Sequence, residues 1–402
     1  MLKSLGALLL AGLLVVTGRP AFAEPVTLSG ALDRGREISP RLAKARAEVK
    51  AAEGRAMQAG VRPNPEVSVD VENFSGSGPY RTFRRTETTV ALSQQFELGG
   101  KRQARRAVAG AEVEYARLAL RRAEADLAHD IAVAHAELRA AEDRSALAQG
   151  VVTRAKELAR IAETLVDVGR DPPLTKLRAD ALLAEANAEY LRETGQWLSA
   201  RQRLALLIGS EDAELSAVAG DMAIPASLPA DAQSLDERLA ATERDAASAR
   251  VRLAQAEGVP DVTASGGVRN FREGGETAFV MGVSIPLPFR NRNRGNIAAA
   301  QASGDAAEAQ LAQARLDTRF TRRDAELMLG AADERLNMLS GAGLFQATEA
   351  ARVAEVGYQQ GKFTLVELID AQAALTGANL KLIEAQLDRA RALAALGRAN
   401  AQ

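Results

Sequence analysis

The sequence predicts a mainly α-helical protein with a small membrane-spanning β part, built as a tandem repeat of a strand hairpin followed by a long helix. Two proline-free stretches predict the long helices, Lys101–Val168 and Asn291–Gln360. At about 1.5 Å of rise per residue, each would be roughly 100 Å long. Runs that alternate apolar and polar residues precede both stretches, and such alternation is typical of β-strands. Glycine-containing breaks follow at Gly169 and Gly361, 192 residues apart, which indicates an internal repeat.

Composition narrows the possible functions. The chain has 51 Lys and Arg against 52 Asp and Glu, so it gives no sign of a nucleic-acid partner. It has no cysteine, which excludes disulfides, thiolate metal sites and cysteine nucleophiles. Its two histidines, His129 and His135, do not share a helix face, so we expect no metal site and interpret both as helix-surface residues. No spacing indicates a nucleophile with its base or a phosphate loop; we expect no catalytic residue and no cofactor.

The first 23 residues have the features of a secretory signal peptide. Lys3 supplies the charged region, Leu5–Val16 the apolar core, and Ala21–Ala23 a cleavage site of the A-x-A type. The apolar core is too short to span a membrane as a helix. We therefore expect an exported mature protein that begins at Glu24. Because no cysteine follows the cleavage site, we expect no N-terminal lipid anchor.

We assign residues 24–210 to the first structural repeat. It starts with a helical segment, Leu28–Gly60, that carries an apolar stripe. Two alternating runs follow within about residues 66–98, separated by a loop rich in Gly, Ser and Arg. The long helices are expected over about residues 101–208, with a sharp break at 169–173 where two prolines follow a glycine.

Residues 211–402 form the second predicted repeat in the same order. A helix is expected over Gln233–Glu257, followed by two alternating runs within about residues 261–288. The long helices of this repeat are expected over about residues 291–396, with a break at 357–361. The order of elements in the two halves is therefore the same.

The alternating runs have roughly the 9–11 residues that a tilted strand needs to cross a bilayer. Four strands cannot close a barrel, and open sheet edges are not tolerated in lipid, so other copies of the chain must complete the barrel if the strands span a membrane. Soluble hairpins with one wet face are the alternative. Aromatic residues in or beside the strand pairs favour spanning, since aromatics form interfacial girdles. They are Phe74, Tyr80, Phe83, Phe96, Phe271, Phe279 and Phe289.

Basic residues open both long helices, directly after the strand pairs. They are Lys101, Arg102, Arg105 and Arg106 in the first repeat, and Arg290, Arg292 and Arg294 in the second. Cations at a helix N-terminus oppose the helix dipole. Their position suggests contacts with lipid headgroups or with neighbouring carboxylates.

Several short motifs give the chain a specific resemblance. They are Arg62–Glu66 (RPNPE), Val71–Phe74 (VENF), Gln95–Arg102 (QFELGGKR), Pro260–Val262 (PDV) and Ser284–Pro288 (SIPLP). With these motifs the chain resembles the TolC family of outer-membrane efflux proteins, and most of all its CzcC-like branch, which serves heavy-metal cation exporters. The resemblance covers essentially the whole mature chain.

The resemblance implies a homotrimer with a TolC-like β-barrel, four strands per chain, in outer-membrane lipid, continued by an α-helical barrel in the periplasm. It also implies a periplasmic adaptor (membrane fusion) protein and an inner-membrane, proton-driven RND-type pump as partners. The implied function is the outer-membrane channel of a tripartite efflux system that exports divalent heavy-metal cations. Two alternatives stay open: an outer-membrane channel for drugs or polypeptides, and a soluble periplasmic coiled-coil adaptor.

The resemblance further implies a periplasmic aperture lined by Glu367 and Asp370. These acids are three residues apart, so they share one helix face. Carboxylates from several copies would form an acidic ring that concentrates cations. The residues alone leave open a second interpretation, in which acids in a first helical turn complement the helix dipole.

The positions that match the family's gate contacts are Thr175, Lys176, Tyr358 and Phe363. Lys176 and Phe363 are not the usual residue types at these positions. The resemblance therefore identifies the gate region but leaves the bonds within it open.

Overall fold

The computed structural model describes residues 24–210, 215–218 and 232–401. The predicted signal peptide, 1–23, lies outside the described residues. The described helices are α1 (Leu28–Ile38), α2 (Pro40–Ala59), α3 (Lys101–Asp167), α4 (Pro173–Ile208), α5 (Leu235–Glu257), α6 (Arg294–Met338), α7 (Leu344–Gln359) and α8 (Leu365–Ala399). The described strands are β1 (Glu24–Val26), β2 (Glu66–Glu72), β3 (Glu87–Phe96), β4 (Leu215–Ala217), β5 (Val262–Phe271) and β6 (Glu276–Ser284). The mainly α-helical class with a small β part is confirmed.

The four long strands form one antiparallel sheet in the order β2-β3-β5-β6. Its register places Val69 opposite Val90, Val90 opposite Val268, and Val268 opposite Phe279. One face of the sheet therefore carries a continuous apolar row. This row is solvent-accessible within the chain, since Phe279 is 88% exposed and Met281 is 93% exposed. A monomeric soluble protein rarely exposes such a patch, so the face is suited to lipid.

The opposite face of the sheet is polar. The Arg269 guanidinium lies 3.0 Å from a carboxylate oxygen of Glu72 and 3.1 Å from one of Glu87. Its Nε also donates to the hydroxyl of Thr89 over 2.9 Å. Alternation along the strands thus separates an apolar face from an ion-paired face, as the sequence predicts.

None of the described helices combines the length and the hydropathy that a membrane-spanning helix needs. The described residues pack as two compact units. The sheet unit comprises those within 34–133, 222–343 and 385–402. The reversal unit comprises those within 1–33, 134–221 and 344–384, and it contains both places where a long helix reverses direction.

Alanine and leucine form the core of the sheet unit. Leu118 of α3 packs against Leu235 and Leu239 of α5. Leu329 of α6 packs against Leu393 of α8. Small residues let neighbouring helices approach closely, and alanine favours the helix itself.

The reversal unit contains a feature that the sequence reasoning missed, a parallel pairing of the three-residue strands β1 and β4. His135 stabilises β1, because its Nε2 lies 3.0 Å from the carbonyl oxygen of Val26. The interpretation of His135 as a helix-surface residue is therefore wrong: it is only 7% exposed. Since a carbonyl can only accept, this ring nitrogen carries the proton.

Two predicted helices are interrupted. The stretch expected to run unbroken to Gln360 has a π-helical turn at Leu339–Gly343, where Gly341 has φ −85° and ψ −110°. Glycines lower helix stability there without any proline. The segment Leu28–Gly60 divides at Ser39 because Pro40 starts a new helix, a position at which its missing N–H costs nothing.

Candidate functional site

All the candidate aperture and gate residues lie at the two helix reversals of the reversal unit. The first reversal joins α3 to α4 and holds Thr175 and Lys176. The second joins α7 to α8 and holds Tyr358 and Phe363, with Glu367 and Asp370 just beyond it.

Both reversals have the same backbone. In each, a glycine at positive φ, Gly169 (72°) or Gly361 (74°), follows the end of the helix. The glycine N–H donates to the carbonyl three residues back, and the next N–H donates to the carbonyl five residues back. The four bonds are Gly169 to Val166 (2.9 Å), Arg170 to Leu165 (2.8 Å), Gly361 to Tyr358 (2.9 Å) and Lys362 to Gly357 (2.8 Å). This is the Schellman motif, which satisfies carbonyls at the helix end.

Phe363 closes the second reversal by packing on its own chain. A Cβ atom added to Gly357 would lie 2.1 Å from the Phe363 ring. The ring therefore occupies the space that the side chain of any residue other than glycine would need at position 357. The N–H of Phe363 also donates to the Gly357 carbonyl over 3.2 Å. Phe363 is nevertheless 39% exposed, which leaves one side of the ring open for a contact.

Glu367 caps the helix that it belongs to. One carboxylate oxygen, Oε2, accepts from the backbone N–H of Thr364 over 2.7 Å and from its hydroxyl over 2.9 Å. The Thr364 hydroxyl in turn accepts from the N–H of Glu367 over 3.3 Å. This reciprocal pair is a capping box. The backbone and hydroxyl hydrogen bonds from Thr364 lower the pKa of Glu367, so the carboxylate stays ionised at neutral pH.

Asp370 lies one turn further along the same face of α8. Both Glu367 and Asp370 are exposed. Their counterparts 192 residues earlier, at the start of α4, are Thr175 and Arg178, neither of which is acidic. The acidic face is thus a property of the second reversal and does not follow from the shared helix geometry.

Lys176 pairs with a carboxylate of its own chain. Its Nζ lies 2.6 Å from Oε1 of Glu163, on the last turns of α3. The hydrogen bond that Lys176 donates to Glu163 raises the pKa of Lys176, and the same bond lowers the pKa of Glu163. Both side chains are well exposed, so the pair orients Lys176 more than it stabilises the fold.

Among the candidate gate residues, Tyr358 has a hydroxyl that lacks a hydrogen-bond partner in the described part of the chain. Its ring packs beside Leu158, Leu365 and Leu368. Its hydroxyl is buried, and no hydrogen-bond partner for it lies among the described residues. Burial, with a smaller contribution from the charge of Asp171, raises the pKa of the Tyr358 hydroxyl. A buried hydroxyl without a partner costs free energy.

The sequence reasoning missed Asp171, the acidic group near Tyr358. The repeat offset identifies it, since Asp171 is the counterpart of Phe363 in the first reversal. The structure brings Tyr358 near Asp171, while it places Lys176 against Glu163 instead. In the described part of the chain, no group of three or more His, Asp or Glu side chains is arranged to hold a metal ion.

An exposed apolar strand face, long helices and an acidic helix-reversal tip are the features of an outer-membrane channel with a helical extension. Comparison with known families agrees. The sequence profile of the outer membrane efflux protein family matches residues 31–210 and again residues 230–401. The chain belongs to this family.

Two curated relatives are similar over nearly their whole length. The nickel-cobalt-cadmium resistance protein NccC of Alcaligenes xylosoxydans xylosoxydans is 33% identical over 403 residues, which cover 99% of this chain and 92% of the relative. The cobalt-zinc-cadmium resistance protein CzcC of Cupriavidus metallidurans is 29% identical over 370 residues, 90% of this chain and 86% of the relative.

A solved structure shows the same fold. The outer membrane protein VceC of Vibrio cholerae superposes with a TM-score of 0.77 at 23% identity, covering 93% of this chain and 96% of VceC. The TolC-like fold expected from the sequence is therefore confirmed.

Family membership settles the class of function. The protein is an outer-membrane efflux channel whose helical part lies in the periplasm, and its family consists of channels rather than enzymes. Members form trimers and act in tripartite efflux with an adaptor and an inner-membrane pump. The alternative of a soluble periplasmic adaptor is thereby excluded.

Proposed function

We propose that the protein is the outer-membrane channel through which a tripartite system exports divalent heavy-metal cations. The main observation in support of this cargo is the 33% identity over 99% of the chain with a nickel-cobalt-cadmium resistance protein. The similarity to a cobalt-zinc-cadmium resistance protein supports the same cargo. An inner-membrane RND-type pump and a periplasmic adaptor would supply the cations.

The assembly that we propose is a homotrimer with a twelve-stranded barrel. Within the described sheet, β2 and β6 each have a neighbour on one side only. An open strand edge is not tolerated in lipid, and membrane barrels need about eight strands or more. Three copies joined edge to edge would meet both requirements. The two matches of the family profile support the division into repeats at 24–210 and 211–402.

Within this assembly, Glu367 and Asp370 would form the periplasmic aperture. Their exposure on one face of α8 supports this, as does the ionised state of Glu367. Capping occupies Oε2 of Glu367, so its other oxygen and Asp370 would face the cations. An acidic ring raises the local concentration of cations. We further propose that Thr175, Lys176, Tyr358 and Phe363 make the gate contacts.

Metal tolerance tests the cargo. A deletion strain should become more sensitive to nickel, cobalt, zinc or cadmium, because the route out of the periplasm is cut at the outer membrane. The parent gene should restore tolerance, while a form lacking β5 and β6 should not, since it cannot complete the barrel. Unchanged metal tolerance together with higher drug sensitivity would replace the proposed cargo by organic compounds.

A further inference from the structure

A cavity of about 800 Å³ lies in the sheet unit, where β3 ends and α3 begins. Its lining includes three arginines, Arg62, Arg102 and Arg106, together with Gln94 and Phe96. The stem of Arg106 lies beside Gly60, at the end of α2. The segment after α2 and the first turns of α3 therefore bring cations to one concave surface.

Two further charged residues line the cavity, Lys101 and Glu97, and each of them is already ion-paired. Lys101 and Arg105 point at carboxylates: Lys101 Nζ is 2.6 Å from Asp261 Oδ1, and Arg105 forms a two-fold ion pair with Glu97. The guanidinium of Arg105 lowers the pKa of Glu97 and keeps it charged.

The three cavity arginines, by contrast, have no carboxylate within 4.0 Å among the described residues. The helix itself adds to this positive charge. The first intrahelical bond of α3 runs from the N–H of Ala104 to the carbonyl of Gly100 over 2.9 Å. The N–H groups before it have no partner along the helix, and they carry the positive end of the helix dipole. Uncompensated cations at this end are unfavourable unless an anion joins them.

The position of the cavity relative to the membrane indicates which anion it can bind. Phe96 is 52% exposed and lies in the same alternating row as Val90 and Leu92, on the apolar face of the sheet. Because the strands cross the outer membrane and the helices lie in the periplasm, this junction is at the level of the inner-leaflet headgroups. The cavity thus has an apolar wall beside the acyl chains and cations at the headgroup.

We propose that the cavity is a binding site for the headgroup phosphate of an inner-leaflet phospholipid. Guanidinium groups bind phosphate oxygens in a two-fold, planar geometry, so Arg62, Arg102 and Arg106 would hold the phosphate. The N–H groups at the start of α3 face the same anion. The acyl chains would then follow the apolar row that starts at Phe96.

Native mass spectrometry of the detergent-purified protein in its native assembly tests this site, with dioleoylphosphatidylglycerol as the probe. The parent should retain one phosphatidylglycerol per chain. In the triple variant Arg62→Gln/Arg102→Gln/Arg106→Gln, binding should weaken about a hundredfold, since each juxtamembrane arginine contributes about a factor of five. The single variant Arg106→Gln should weaken it about fivefold, and it serves if the triple variant fails to assemble.

The matched control removes the same number of charges at the other strand-to-helix junction, in Arg290→Gln/Arg292→Gln/Arg294→Gln. Its binding should stay within about threefold of the parent, whereas an equal loss in both triple variants would show a general basic belt and overturn the site. Diolein, which lacks a phosphate, should not bind. Displacement of the lipid by millimolar inorganic phosphate would show a soluble-anion site instead. A parent that retains no phospholipid would also overturn the proposal.

Discussion

The reversal between α3 and α4 and the reversal between α7 and α8 have the same glycine-centred hydrogen bonds but different side chains. Counterparts 192 residues apart differ in size or charge: Leu165 and Gly357, Asp171 and Phe363, Thr175 and Glu367. The comparison shows that chain reversal depends on the backbone, while the acidic face and the aromatic contact belong to one copy. Backbone changes should therefore affect both reversals alike, and side-chain changes only one.

The largest effect should come from Gly357→Ala. A Cβ at this position would lie 2.1 Å from the Phe363 ring, so the ring must leave its place. Overpacking of this kind costs about 1–3 kcal/mol. Thermal unfolding of the detergent-solubilised protein should show a lower midpoint for this variant.

The double variant Gly357→Ala/Phe363→Ala should recover most of the loss, because the ring that clashes is gone. Gly195→Ala on α4 is the matched control, since nothing lies within 4 Å of its added Cβ. This control should be neutral or slightly stabilising. A double variant as unstable as the sum of its two single variants would contradict the packing account.

A smaller and equal effect should follow from Gly169→Ala and Gly361→Ala. Both glycines have φ above 70°, a conformation that costs an L-residue roughly 1–2 kcal/mol. Equal shifts in the free energy of unfolding, within about 0.5 kcal/mol, would confirm that the two reversals share one backbone requirement. A loss of stability in only one of the two variants would contradict a shared backbone requirement.

The smallest effect should be a loss of stability at acidic pH, where Glu367 becomes protonated. Hydrogen bonds from Thr364 lower the pKa of Glu367 below its usual value of about 4.3. Its contribution to stability is therefore complete above that value, and it is lost as the pH falls through the lower folded-state pKa. Between about pH 5 and pH 3, the parent should lose more stability than Glu367→Gln.

Thr364→Ala in the Glu367→Gln background provides the control for this acid effect. It should leave the pH dependence of the unfolding midpoint unchanged, because the charged acceptor is already gone. A parent and a Glu367→Gln variant with parallel pH profiles would show that the capping box does not operate in the assembled protein.

Much of the fold could be predicted because its signals are local. Alternation in Glu66–Glu72 and Val262–Phe271 follows directly from a sheet with one apolar face. The first long helix, free of proline, runs without a break to Asp167. The second does not, because Gly341 and Gly343 destabilise a helix without any proline to reveal the break.

Features that depend on distant contacts could not be predicted. Strand β1 has three residues and pairs with a strand about 190 positions away, so no alternation reveals it. The burial of His135 depends on the carbonyl of Val26 in that same strand. The cap at Glu367, in contrast, can be predicted from the three-residue spacing of Thr364 and Glu367.

The central claim is that the acidic face of the second reversal makes this outer-membrane channel a route for cations. Planar-bilayer recordings of Glu367→Ala/Asp370→Ala test it most directly. The variant should lose much of the parent's selectivity for cations over anions, and block by multivalent cations from the periplasmic side should weaken, since the proposed acidic ring would be lost.

The matched variant Arg178→Ala changes the counterpart of Asp370 in the first reversal and removes no carboxylate. It should keep the cation selectivity and the block of the parent. A double variant Glu367→Ala/Asp370→Ala that assembles normally and shows the parent's selectivity and block would contradict the claim.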